Sequence, residues 1–514
     1  MKRPTLSLIA VATALAAVTG FAALTAPDGS SSAGAKAPAR LPVERSSLLC
    51  PAPSTSEVAE TVYTSYTPAG KAAAGSTGTG KADAGKPGAA KAELAPAPLA
   101  AAAPGETPPK KPSTAKAPAT VTQPGTPVGA EANGGAAPAL TGKATGTLAP
   151  GWTVQQTTMV PAGGARGLLG VSCTAPDTDF WFPAASTAKE RQDYVHLTNP
   201  DDTAAVADVE LHGPQGALKS QLTEGIPVPA HSSVPVLLST LTAESPAADV
   251  TVHVTTRTGR VGAVLGVADD KAGSDWLPAS ADPAGSLVLP GIPKDATSVR
   301  LVAYAPGEDD ADLKIQLAGP SGTIVPASAQ SLNVKSGMTA AVDLPDLTRG
   351  EAGSLLLTPS DPKKATPVVA ALRVVRGKGD KQEIAFIPAA AAITARATVA
   401  DNRSTGSTLS LTAPGAEATV KVTASAGTQG GTPVTKTVTV KAGTTTAITP
   451  PVPEGLKGTY ALTVEPVSGG PFHASRTLAL PENGIQMFTV QTLTDDRGTV
   501  EVPSARQDLS VLDD

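Results

Sequence analysis

Large rings and reactive side chains are scarce in this 514-residue chain. Aromatics make up 3%, and there are five histidines, four methionines and two cysteines. No Cys–His spacing suits a metal cluster, and no Gly-rich phosphate loop follows a strand, so neither a zinc module nor a nucleotide site is expected. Charge is equally sparse. A net charge of -5 over this length, with no clustered basic face, excludes a nucleic-acid footprint. After residue 24 no apolar run is long enough to span a bilayer. No cofactor is expected, and no catalytic or metal-binding residue is assigned.

What abounds is glycine and proline, 50 and 49 residues. That load is too high for one helical or α/β body and fits short strands joined by tight turns. The chain opens with Lys2 and Arg3 before the apolar Leu6–Leu24. This reads as an export signal over residues 1–26, either cleaved or kept as a single N-terminal membrane anchor. A spacer, 27–45, follows. In an oxidising compartment a lone cysteine pair bridges, so Cys50 and Cys173 are expected to form a disulfide. The alternative is a lipidated Cys50, although Ser47-Leu-Leu-Cys50 has no small residue just before the cysteine.

From Thr67 to Gly151 the chain has no Phe, Trp, Tyr, Ile, Met or Cys. Such a tract cannot bury enough apolar surface to offset ordering, so 67–151 is expected to be a disordered Ala/Pro/Gly/Lys insertion. Its eight lysines against four acids make a mildly cationic tether that could touch anionic wall polymers or simply solubilise the chain.

Beyond it a pattern recurs. Val195-His-Leu-Thr-Asn-Pro200 precedes the alternating stretch Ala205 to Gly213. Leu301-Val-Ala-Tyr-Ala-Pro306 precedes Ala311 to Gly319, and Leu409-Ser-Leu-Thr-Ala-Pro414 precedes Ala418 to Ser425. The prolines lie 106 and 108 residues apart, which argues for duplication. Within each copy the period is two. Ala207, Val209 and Leu211 oppose Asp208, Glu210 and His212, as in a half-buried antiparallel strand. The fold class is therefore all-β, with tandem immunoglobulin-like β-sandwich modules at 184–278, 279–388 and 389–495 and a tail at 496–514. Phe180-Trp-Phe-Pro183, Trp276-Leu-Pro278 and Phe386-Ile-Pro388 read as three module ends. An earlier module is thus built from 46–66 plus 152–183.

These residues resemble a family of exported actinobacterial, Streptomyces-type proteins that carries only a domain-of-unknown-function label. The likeness lies in Leu41 to Cys50, Gln155 to Thr158, Cys173 to Pro183 and Tyr194 to Pro200, and runs from about Leu41 to the C-terminus. It implies an envelope location and no known activity.

Three Ser-x-x-Lys stretches, at Ser113, Ser186 and Ser360, fall in expected loops, whereas acyl-enzyme chemistry needs that motif on a helix. Alternation puts His196, His212 and His253 on solvent faces, where neighbouring strands could present a metal site; scattered surface histidines are the plainer reading. The acidic turn Glu308–Asp312 could hold Ca²⁺ or cap strand ends. Trp181 and Trp276, at module borders, either wedge modules together or stack on sugars. The expected function is a non-enzymatic scaffold of the envelope surface, secreted or held outside the cell, with an envelope protein as partner. The alternative is a wall-glycan binder that uses those two tryptophans.

Overall fold

Alternation decides the fold. Each stretch of inward valine, leucine and alanine with outward polar residues becomes an antiparallel strand, because only one of its faces gains from burial. The computed structural model describes residues 39–70, 90–100, 120–222 and 224–502. Their regular structure is strand with a few short 3₁₀ turns, and no helix among them is long and apolar enough to cross a membrane. The expected signal or anchor, 1–26, and most of the spacer lie outside the described residues.

Pro42 to Thr499 folds into four β-sandwiches, I to IV. Each has seven principal strands, and all four share one pairing scheme. Strands one, five and three make one sheet, in that order; strands four, two, six and seven make the other. In sandwich I these are Arg45–Cys50, Ala139–Thr145 and Ala92–Ala97 over Val128–Asn133, Glu60–Tyr66, Thr153–Val160 and Gly167–Ser172. In II they are Asp179–Ala185, Val250–Thr258 and Ala205–Gly213 over Ser233–Leu237, Arg191–Thr198, Gly262–Asp269 and Gly273–Leu277. Sandwich III runs from Leu287–Ile292 to Glu383–Pro388 and IV from Ala397–Asn402 to Phe488–Leu493. Immunoglobulin constant domains order their strands ABED and CFG, so the likeness is one of two-layer architecture, with a strand order of its own. The short strands Ala39–Pro42 and Thr499–Val502 pair as a two-stranded sheet of their own, so the expected tail contains a strand.

Two expectations need correction. The first concerns 67–151, which supplies three strands of sandwich I: Ala92–Ala97, Val128–Asn133 and Ala139–Thr145. Its few branched residues suffice because they surround one large ring. Leu94, Val121, Leu140 and Leu148 are buried with Trp152, and a Cβ on Gly142 would come within 2.4 Å of that indole. Small residues here are a packing requirement, not a sign of disorder. Residues 71–89 and 101–119 lie outside the described set.

The second concerns Phe180-Trp-Phe-Pro183. It opens sandwich II, which therefore begins at Asp179 rather than 184. Phe180 and Phe182 point into the core of sandwich II while Trp181 points outward, and the strand pairs with Val250–Thr258. Trp276-Leu277 and Phe386-Ile-Pro388, by contrast, belong to seventh strands. Cys50 and Cys173 are joined, 123 residues apart, with their Cα atoms 4.5 Å apart. The bond ties the first strand of sandwich I to the end of its seventh.

The four sandwiches close into a ring. The first strand of II lies on strands two and six of III, that of III on the same strands of IV, and that of IV on those of I. The first strand of I lies on Gly262–Asp269 of II, which completes the circuit. The four seventh strands meet one another in the same cyclic order along the centre. A head-to-tail contact repeated with the right rotation must close, and here four covalently linked sandwiches close it.

Candidate functional site

Ring closure covers faces that an isolated sandwich would leave wet. His212 ends the outward row of Ala205–Gly213, yet only 9% of it is exposed, because Tyr304 of sandwich III lies over it. Tyr304 Oη is 3.2 Å from His212 Nδ1, and the rings are 4.6 Å apart. His253, on the next strand, stacks on Trp181 with centroids 3.5 Å apart and planes within 6°. Trp181 in turn stacks on Tyr304 at 5.5 Å. Glu210, two residues before His212, is exposed. Its Oε2 is 3.6 Å from His212 Nε2 and 3.7 Å from His253 Nδ1. On the far side of His253, Nε2 meets Asp179 Oδ1 at 3.2 Å. Two imidazoles and a carboxylate thus converge at the joint between II and III, and burial holds the pKa of His212 below its usual range.

His196 goes elsewhere. It packs edge-on to Trp276 at 5.1 Å, and burial lowers its pKa to about 4. The expectation that His196, His212 and His253 face solvent is therefore corrected. Alternation identifies which face a residue is on, and the next sandwich decides whether that face is wet. The two tryptophans follow the same rule. Trp181 is 9% exposed and Trp276 3%, so neither offers a ring face to a sugar. Trp276 lies with Ala59, Val160, Leu169, Val171 and Val264, where sandwiches I and II meet.

The centre of the ring holds a second polar group. Asp275 Oδ1 accepts from the backbone N–H of Gly170 at 3.0 Å and of Trp276 at 2.8 Å, and the Thr489 hydroxyl donates to Oδ2 at 3.0 Å. Glu383 Oε1 accepts from the Leu168 N–H at 2.9 Å, and its Oε2 has no partner. These residues come from all four sandwiches. Burial raises the pKa of Asp275 well above the usual carboxylate range and that of Glu383 to about 8.

The other sequence candidates have local structural roles. Ser186 donates its hydroxyl to the Ala247 carbonyl, and its N–H bonds to Asp193, which pairs with Arg191. Ser360 donates its N–H to the Asp312 carbonyl. Asp310 of the acidic turn accepts from the Ser336 N–H at 2.8 Å, which is strand-end capping. Ser113 lies outside the described residues. The Glu210 cluster was half legible, since its three residues alternate outward on the third and fifth strands. The pairing of those strands, which sets Glu210 opposite His253, was not.

One family matches, described as DUF5719, a family of unknown function, over residues 128–451. The span is narrower than the resemblance read from Leu41 onward. It begins at the first residue of the strand Val128–Asn133, inside the tract expected to be disordered. No curated protein and no solved structure matches.

Proposed function

This chain belongs to DUF5719, a family of unknown function, and we propose that it acts as a non-enzymatic scaffold on the outer side of the cell envelope, with an envelope protein as its partner. The observation that carries this reading is the closed ring. Aromatic and titratable side chains that would make a site on an open sandwich are placed in the joints, where they hold neighbours at fixed angles. A rigid ring leaves its rim of loops and outer strand edges as the working surface, which suits holding a partner more than turning over a substrate. An extracellular location is supported by the Cys50–Cys173 bond, since disulfides persist in oxidising compartments. The glycan reading is disfavoured by the burial of Trp181 and Trp276.

The test is crosslinking on intact cells with a membrane-impermeant reagent, followed by recovery of the tagged chain. A discrete protein adduct with reproducible crosslinks to rim loops is expected. Recovery of wall glycan without a protein adduct, or failure of the impermeant reagent to reach the chain, would overturn the proposal.

A further inference from the structure

We propose that Glu210, His212 and His253 bind a divalent cation of the zinc class through Glu210 Oε2, His212 Nε2 and His253 Nδ1. The hydrogen bonds on the far sides of the rings set the argument. Asp179 can only accept when ionised, so His253 donates Nε2–H to it, and Nδ1 is left with a lone pair aimed at Glu210. His212 is bonded through Nδ1 to Tyr304, and its buried Nε2 has no hydrogen-bond partner. With Nδ1–H donating to the phenol, this second lone pair also faces Glu210. Two lone pairs and a carboxylate converging on one point form a ligand set ready for a cation.

The dimensions fit. Zn–N bonds of about 2.0 to 2.1 Å and Zn–O bonds of about 2.0 to 2.2 Å place tetrahedral ligand atoms roughly 3.3 to 3.5 Å apart. Two edges here measure 3.6 and 3.7 Å, and all three atoms lie within 4.8 Å of one another. The remaining closure is a short slide of His253 along the Trp181 face. Asp179 and Tyr304 then act as the outer partners that orient metal-bound histidines. Two imidazoles and one carboxylate leave a fourth position, and the exposed side of Glu210 gives it to water. The ion would tie the third strand of sandwich II to the fifth, directly beneath the Tyr304 contact.

The experiment is calorimetric titration of the chelator-treated full chain with Zn²⁺, with Co²⁺ absorption as a second readout. One tight site per chain is expected, with ligand-field bands typical of four or five ligands. Glu210→Gln removes an exposed ligand without disturbing a core, and His253→Gln removes a second; both should abolish the tight site. Asp179→Asn should weaken it roughly 10- to 100-fold, as outer-partner changes do. His231→Ala should change nothing, although exposed His231 pairs with Asp202 at 2.7 Å. Absence of tight binding in the wild type, or equal affinity in Glu210→Gln, would overturn the proposal, as would loss of the site in His231→Ala.

Discussion

Glu383 makes the ring sensitive to alkali. Its carboxyl is fully buried where the seventh strands meet, with one oxygen bonded to Leu168 N–H and the other unpartnered. Burial is the largest influence and raises its pKa from 4.5 to about 8, against the lowering effects of that hydrogen bond, Arg166 and Arg376. A carboxyl that is neutral in the folded state and ionised in the unfolded one costs stability as pH rises between the two values. Its stabilising effect is complete below pH 4.5 and lost as pH climbs toward 8. At about 1.4 kcal/mol per unit, the full span is about 5 kcal/mol. Buried histidines oppose it lower down. His196 and His473, both held near 4, withdraw stability as pH falls below 6.5. Between pH 6.5 and 8 their remaining titration is common to the wild type and a Glu383 variant, so comparing the two isolates Glu383.

In that window Glu383 alone should remove about 2 kcal/mol of stability. The measurement is urea unfolding at pH 6.5 and 8.0, followed by tryptophan fluorescence, since Trp152, Trp181 and Trp276 are all buried. Glu383→Gln keeps an oxygen to accept from Leu168 and cannot ionise. The variant should lose about 2 kcal/mol less than the wild type over the same interval. Equal losses in the two proteins would refute the argument, and so would a wild type that is more stable at pH 8.0 than at 6.5.

Asp193→Ala should cost about 3 to 5 kcal/mol, because it strands the buried Arg191 guanidinium that now makes two bonds to that carboxylate. Chemical denaturation reads the loss, and a cost under about 1 kcal/mol would show the pair to be dispensable. Replacing Cys50 and Cys173 together with serine should remove about 5 kcal/mol from sandwich I in the chain-entropy model, given the 123-residue separation. An unchanged midpoint for the Trp152 signal would contradict that. Deleting 92–145 removes three strands and the Leu94, Val121 and Leu140 side chains, so sandwich I should lose its fold. A native near-ultraviolet spectrum and native Trp152 emission in that deletion would restore the reading of the tract as a tether.

Much of each sandwich was legible and little of the ring. Period-two alternation placed Ala207, Val209 and Leu211 inside correctly because strand burial repeats on the scale of the pattern itself. The same alternation misplaced His212, since it marks only which of two faces a residue takes. What covers that face comes from Tyr304, 92 residues later. Composition failed at 92–145 for a related reason. Counting large apolar residues ignores a core in which alanine and glycine fit around a single indole, and Gly142 against Trp152 is such a fit. The metal-binding geometry depends on register. A one-residue slip between the strands bearing Glu210 and His253 would send one of them to the opposite face.

The four joints use one geometry and four chemistries, and that difference fixes which sandwich follows which. Sandwich I presents Leu49 to a glycine, Gly262, where a Cβ would come within 2.7 Å of it. Sandwich II presents Trp181 and Asp249 to Tyr304 and Arg300, with the ion pair closed at 2.7 Å. Sandwich III meets IV through the Ser354 and Thr412 hydroxyls at 2.7 Å, with Gly291 against Ser475. Sandwich IV meets I through Thr459 and Thr64 at 3.1 Å and sets Ala400 and Ala461 around Tyr66. A joint of II with any acceptor other than III would bury Asp249 without Arg300, and an unpaired charge in a partly buried joint costs several kcal/mol. A wrong neighbour for sandwich II is thus penalised by unpaired charge, so the order of the ring is specified by its joints as well as by the chain that links them.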